Sequence, residues 1–329
     1  MLSRVLLYLD YDQESGFGHI SRSRAFIEAI SIEGIEIFMS SKLNPHESEI
    51  EVGFLDHIKW IPCIQVEAMN FDLLYVDSYS DDVLVEAEKF AIEKKILVID
   101  TNFEDEIPGW PNMIIDLERS SSRKKNFSGS YLFADLLIHS DLHSVRSARD
   151  CNSFERKNFS KLVGVVNFGG SISIDYYLRQ LEVTFAADNR IAYIVYAPHQ
   201  LSQSLKIHFA SINNVVVKVF SEEYLYDLKN CDFLITNSGT SFLEGLYIGI
   251  PMIIFSLFPN AQFNFEKHRF SKRVIHSGSA VDLESQWLKK VFEFFQKERL
   301  LETPIEEKLD VRFLDVNAIR TELNSRILN

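Results

Sequence analysis

The sequence predicts an α/β protein made of two doubly wound halves, and three observations lead there. Along most of the chain, short apolar runs alternate with segments whose apolar residues recur at helical spacing. Three turns of small residues, each following a strand-like stretch, recur along the chain: Gly16-Phe17-Gly18, Gly169-Gly170-Ser171 and Ser238-Gly239-Thr240-Ser241. A polar stretch without an apolar period, Ser144–Lys161, divides the chain near its middle and is expected to be the linker. Strand, turn and helix in repetition build β-α-β units, whose turns gather at the carboxyl edge of a parallel sheet, where such proteins bind ligands.

In the first half, Arg4–Leu9 is the opening strand, and Arg22–Ile30 is a helix with Ala25, Phe26, Ala29 and Ile30 on its buried face. Gly16 and Gly18, in the loop between them, let the backbone pass close to something bulky. His19 stands at the opening of the helix, where the proton-free imidazole is favoured and a ring nitrogen can accept a proton near neutral pH. The plain alternative is a glycine turn that the His merely caps. Ile35–Met39 is a strand, Phe71–Tyr79 a buried strand with polar side chains at its end, Asp81–Glu93 a helix, and Lys95–Ile99 a strand ending at Asp100. Asp77, Tyr79, Asp100 and Asn102 therefore stand at strand carboxyl ends, on the edge of His19 if the sheet is parallel, although Asp at such places commonly caps a helix. Met113–Asp116 and Leu136–His139 are two further short strands, and Ser120–Lys125 is a solvated basic loop.

In the second half, Leu162–Phe168 is a strand running into Gly169-Gly170-Ser171, and Tyr176–Phe185 a helix. Strands follow at Ile191–Tyr196, Asn214–Val219 and Asp232–Thr236, with helices at Gln200–Ser211 and Glu222–Asn230. The stretch Leu234–Pro251 is the most informative. Its strand ends at Asn237, the small-residue turn follows, Phe242–Ile248 is helical, and Gly249-Ile250-Pro251 stops the helix. Unpaired N–H groups and the positive end of the helix dipole at that turn suit a phosphate, and Glu244, one turn in, is within reach of a nucleotide's sugar. The plain alternative here is a tight connection with an exposed Glu. Met252–Phe258 is a strand, Phe265–Arg273 a helix, and Asp315–Leu328 an amphipathic helix.

Length and composition bound the rest. A chain of 329 residues with 46% hydrophobic residues has room for two cores, expected at 1–155 and 156–310, with a helix at 311–329 returning to the first. A formal charge of −13 argues against nucleic acid as a partner, since a phosphate backbone is repelled. Cys63, Cys151 and Cys231 lie far apart, with no paired spacing for metal or redox work, as in a cytosolic protein. Asp10 follows the N-terminal apolar stretch too closely for a signal peptide, and no apolar run approaches ~20 residues. A cytoplasmic enzyme without metal or cofactor is expected.

Two such halves, each with glycine turns on one edge, and a final helix describe a GT-B architecture, two Rossmann-like domains facing across a cleft. Gly16–Arg22 (GFGHISR), Phe71–Tyr79 (FDLLYVDSY), Phe168-Gly169-Gly170-Ser171 and Ser238–Pro251 with Glu244 carry a resemblance. In motif order over most of its length, the chain resembles the UDP-2,4-diacetamido-2,4,6-trideoxy-β-L-altropyranose hydrolase family of pseudaminic acid biosynthesis. That family is itself similar to the N-acetylglucosaminyltransferase of peptidoglycan assembly. The resemblance implies that His19 is the catalytic His, that Asp77 and Tyr79 are an Asp-x-Tyr pair lining the sugar pocket, and that Gly16, Gly18 and Arg22 border the substrate. It also implies that Gly169, Gly170 and Ser171, with Ser238, Gly239, Thr240 and Ser241, cradle the diphosphate. Glu244 would take the ribose hydroxyls, and Gln262 would lie near the donor sugar. Ser78 stands where the family usually has His, the first strand ends Leu9-Asp10-Tyr11-Asp12 rather than in Arg-x-Asp, and FGGSI lacks a following Asp. The carboxylate that orients His19 is therefore open among Asp10, Asp12 and Asp77.

The function expected on this resemblance is metal-independent, inverting hydrolysis of a UDP-linked diacetamido-trideoxy hexose, releasing UDP. Helix-end N–H groups would meet the charge on the leaving group. The alternatives are an inverting glycosyltransferase with a UDP-sugar donor and, from another class, a non-catalytic nucleotide-sugar-binding protein.

Overall fold

A computed structural model describes residues 3–9, 18–31, 34–42, 44, 55–78, 81–90, 95–100, 110–117, 129–152, 161–258, 265–267, 269, 271–279, 286–300 and 312–326. The chain divides into two compact units, one of Met1–Ser140 with Val311–Asn329 and one of Asp141–Asp310.

The first unit holds a seven-stranded parallel sheet of β1 (Arg4–Leu9), β2 (Glu36–Ser40), β3 (Ile58–Ile61), β4 (Leu73–Asp77), β5 (Lys95–Asp100), β6 (Met113–Asp116) and β7 (Ser130–Phe133). Their order across the sheet is β3-β2-β1-β4-β5-β6-β7. The central strands are apolar on both faces because helices cover both, as a parallel sheet requires. Leu7, Leu9, Tyr75, Leu97 and Ile99 pack on the side of α1 (Gly18–Ile30), while Leu6, Tyr8, Leu74, Val76 and Val98 pack with Ala87 of α2 (Asp81–Phe90). Alternate residues of one strand thus belong to two different cores. A small parallel pair, β8 (Leu136–Ile138) with β15 (Phe313–Asp315), leads into α10 (Val316–Arg326). Ile319 and Leu323 of α10 enter the α1 core, and Arg320 donates to the carbonyls of Glu28 and Ala29 at the end of α1, at 3.1 Å each.

The second unit repeats the plan with six parallel strands: β9 (Leu162–Asn167), β10 (Ile191–Ala197), β11 (Val215–Val219), β12 (Phe233–Asn237), β13 (Met252–Ser256) and β14 (Val274–Ser279). Their order is β11-β10-β9-β12-β13-β14. The helices are α4 (Asp175–Gln180), α5 (Glu182–Ala187), α6 (His199–His208), α7 (Glu223–Asn230), α8 (Thr240–Ile248) and α9 (Gln286–Leu300). The fully buried Trp287 anchors α9 in the same core as Phe185, Leu205 and Phe255.

Several elements depart from the sequence expectation, each for a physical reason. The expected linker is helical in its first part: α3 runs Ser140–Asn152. Among its residues whose burial is described, only Leu142 and Val145 are buried and apolar, too few to show a period. Polar contacts secure it instead. Arg149 Nη1 donates to the carbonyls of Leu228, Lys229 and Cys231 at 3.0, 3.1 and 2.9 Å, and His143 Nδ1 lies 2.8 Å from the Tyr247 hydroxyl. Strands β3, β7 and β14 were not expected; all three are sheet edges, paired on one side and only partly buried where burial is described. The expected helix over 176–185 is two short helices meeting at Leu181. Of the expected helix over 265–273, residues 265–267 are helical, and Val274 then opens β14.

Gly164 in β9 shows how closely neighbouring strands approach. A Cβ there would lie 2.7 Å from the ring of Phe233 on β12, a ring that is itself fully buried. We expect Gly164→Ala to destabilise the protein by about 1–3 kcal/mol through overpacking. An unchanged melting temperature in thermal denaturation would contradict that packing.

Candidate functional site

In each unit the strand order reverses between two neighbouring central strands, and the crevice at their carboxyl ends is where α/β sheets take ligands. In the first unit these are β1 and β4, paired so that Leu9 faces Asp77. The chain leaves β1 and enters α1 at Gly18, so His19 sits in the first helical turn. His19, Arg22 and Phe26 recur at i, i+3 and i+7 and share one helix face. On β4, Tyr75 and Asp77 share one strand face. The two faces meet: Phe26 stacks on Tyr75 at 4.4 Å between ring centroids, and His19 and Arg22 both meet Asp77.

Asp77 is fully buried. His19 Nδ1 lies 2.9 Å from Asp77 Oδ1 and 3.0 Å from the Asp77 carbonyl oxygen. Arg22 grips the same carboxylate with two nitrogens, Nε donating to Oδ2 at 3.1 Å and Nη2 to Oδ1 at 2.8 Å. Arg22 Nη2 is also 3.0 Å from His19 Nδ1. A guanidinium nitrogen cannot accept, so with Nδ1 protonated this is a pair of donors sharing one acceptor oxygen. Burial alone would raise the Asp77 carboxyl; the Arg22 guanidinium and then His19 outweigh it and hold the group below the usual carboxylate range. Burial, and then the Asp77 charge, push the Tyr75 phenol up, and its hydroxyl has no hydrogen-bond partner among the described residues. An Nδ1–H that donates to Asp77 leaves the neutral imidazole with its lone pair on Nε2, the tautomer of a general base.

In the second unit the reversal lies between β9 and β12, paired with Thr236 facing Asn167. Both strands end in Asn, and each Asn is followed two residues later by Gly. Gly169 N donates to Asn167 Oδ1 at 2.9 Å, and Gly239 N donates to Asn237 Oδ1 at 3.0 Å. These are Asx turns. The amide nitrogens then tie the turns together: Asn237 Nδ2 donates to the Phe168 carbonyl and Asn167 Nδ2 to Ser241 Oγ, both at 2.8 Å. Gly169 has a φ of +106°, which an L side chain rarely adopts. Gly239 is the N-cap of α8 and contributes no side-chain cap, so the helix presents its amino end at this turn. Glu244 is buried rather than exposed. Burial first, and then the Glu244 charge, push the phenol of Tyr224 up.

The structure thus brings together His19, Arg22 and Asp77 in the first unit, with Gly18 opening α1 beside them. In the second unit it gathers Gly169, Gly170, Ser171, Ser238, Gly239, Thr240, Ser241 and Glu244 around the paired turns of one switch point. Asp10, Asp12, Gly16, Tyr79, Asn102 and Gln262 lie outside the described residues. Asn167, Asn237 and Tyr224 were missed as site residues, although the twice-occurring Asn-x-Gly spacing is visible in the sequence. Among the described residues, no group of three or more His, Cys, Asp or Glu is placed to hold a metal ion. No helix among them is long and apolar enough to cross a membrane.

Two α/β units with parallel sheets, each with polar side chains gathered at its switch point, place the chain in one fold class, that of the GT-B glycosyltransferases. Among solved structures the chain is similar to Acinetobacter baumannii MurG, with TM-score 0.57, 10% identity and coverage of 98% of this chain and 99% of that one. It is also similar to Anabaena Alr3699/HepE in complex with UDP and glucose, with TM-score 0.52, 11% identity and 98% of each chain covered. A glycosyltransferase from Rickettsia africae matches with TM-score 0.54 and 10% identity over 99% of this chain and 94% of that one. No protein-family model and no curated protein matches the chain.

Proposed function

We propose that this protein is an enzyme that cleaves the anomeric C–O bond of a UDP-sugar and transfers the sugar, with inversion, to an acceptor hydroxyl. The observation that carries the reading is the buried His19–Asp77 pair at the first unit's switch point. His19 Nε2 takes the proton of the acceptor O–H as its oxygen attacks C1. The bond from C1 to the diphosphate oxygen breaks on the opposite side, and its electron pair leaves with UDP. Asp77 holds the ring in the required tautomer and stabilises the imidazolium that forms. The second unit binds the leaving group: the amino end of α8 and the turns at Gly169-Gly170-Ser171 and Ser238–Ser241 receive the diphosphate, and Glu244 the ribose. A fold shared with a protein crystallised in complex with UDP and glucose supports this donor class.

A second reading, hydrolysis with water in place of the acceptor, is favoured by one observation: Gly16–Arg22 and Asp77 resemble a UDP-sugar hydrolase family. UDP release from a panel of UDP-sugars, with and without candidate acceptors, separates the two. Transfer predicts slow release that an acceptor accelerates. Rapid acceptor-independent release from a 2,4-diacetamido-trideoxy sugar would establish hydrolysis, and no UDP binding at all would remove both.

A further inference from the structure

We propose that Arg22 is a positioning residue that keeps His19 in its proton-accepting form, by balancing the charge of Asp77 and opposing a second positive charge beside it. The inference rests on the reading of His19 as the base. Its observations are geometric. Arg22 lies one helical turn after His19 on the same face of α1 and spans both oxygens of the Asp77 carboxylate. It also stands 3.0 Å from the very ring nitrogen that faces Asp77. Only 13% of its side chain is exposed, against 3% for His19 and none for Asp77, so water screens the three groups weakly.

The charges set the direction. A buried carboxylate beside an imidazole, left to itself, stabilises the imidazolium. Such a ring holds its proton through the neutral range and cannot accept one from an attacking hydroxyl. With Arg22 present, the guanidinium and the carboxylate sum to zero, and a proton on His19 would add a second cation against the first. Among the described residues, the titratable and charged groups facing the pair are His19 and Arg22 from α1 and Tyr75 and Asp77 from β4; the Tyr75 phenol stays neutral. A Lys would supply the charge but would not span both oxygens as the planar fork does.

The competing account is a buried ion pair that only holds α1 to β4, and a titration distinguishes the two. The full chain, labelled at histidine Cε1, is titrated by NMR as wild type, Arg22→Gln and Arg22→Lys, with His19 assigned by the signal lost in His19→Asn. In Arg22→Gln the His19 midpoint is expected to rise by about one pH unit or more, tenfold in proton affinity, with Arg22→Lys between the two. The acidic limb of the kcat/KM profile should rise with it. An unmoved midpoint in folded Arg22→Gln overturns the proposal. Should Arg22→Gln fail to fold, Asp77→Asn serves: the anion is gone and the guanidinium stays, so the midpoint must fall, and a midpoint that holds overturns the proposal equally. The titration needs no substrate. Shifts as expected without turnover of any UDP-sugar remove the functional reading while upholding the electrostatic coupling; normal turnover with unmoved midpoints removes the role of Arg22 alone.

Discussion

Replacing His19 by Ala is expected to lower kcat for UDP release by about 10²–10⁴-fold, the range that a positioned general base contributes, with KM for the UDP-sugar nearly unchanged. That loss corresponds to about 3–5 kcal/mol of transition-state stabilisation. The separation of kcat from KM follows from the architecture. His19 belongs to the first unit, whereas the turns proposed to hold UDP belong to the second. Removing the imidazole should therefore affect proton transfer and leave nucleotide binding intact. The check is a steady-state measurement paired with UDP titration by calorimetry. If release survives the substitution, the proposed mechanism is wrong even though the fold stands. If UDP binding is lost along with turnover, the division of labour between the units is wrong.

Asp77→Ala should have the second large effect, on stability as well as on rate. The substitution removes the buried carboxylate that both the Arg22 guanidinium and the His19 ring meet, and breaking a buried pair in this way typically costs about 3–5 kcal/mol. Asp77→Asn keeps the volume and one acceptor oxygen and isolates the charge. The pH dependence has a definite sign. The folded-state pKa of Asp77 is depressed: burial raises it, but Arg22 and His19 lower it further than burial lifts it. The stabilisation from its charge is therefore fully present above the unfolded value of about 3.9 and is lost as pH falls through the lower, folded value. Chemical denaturation should show the gap between wild type and Asp77→Asn closing as pH drops below about 4. A gap that ignores pH down to strongly acid conditions would falsify the assignment of Asp77 as an ionised partner.

These two residues also show how far a sequence can be read. That His19 opens a helix after the first strand, and that Asp77 ends another strand, were both legible, because β1 and β4 are central strands whose apolar runs follow from burial on both faces. The glycine turns were legible too, whereas the Asn-x-Gly spacing, although it depends on residues only two apart, went unread. Elements without such a local signal escaped. The edge strands β3, β7 and β14 gain a partner on one side only, and α3 is secured by Arg149 and His143 rather than by an apolar stripe.

The sequence by itself determined the fold class, the central strands, the small-residue turns and the candidate base. Among Asp10, Asp12 and Asp77 as partner of that base, it left the choice open. The tertiary structure brings in Asp77, 58 residues from His19, because β1 pairs with β4 in a register that sets Leu9 against Asp77. It likewise decided that Arg22 faces that carboxylate and that Asn237 ties its turn to Phe168, 69 residues away. Periodicity and turn propensity act over a few residues, whereas these contacts depend on which strands become neighbours, and only the assembled sheet specifies that.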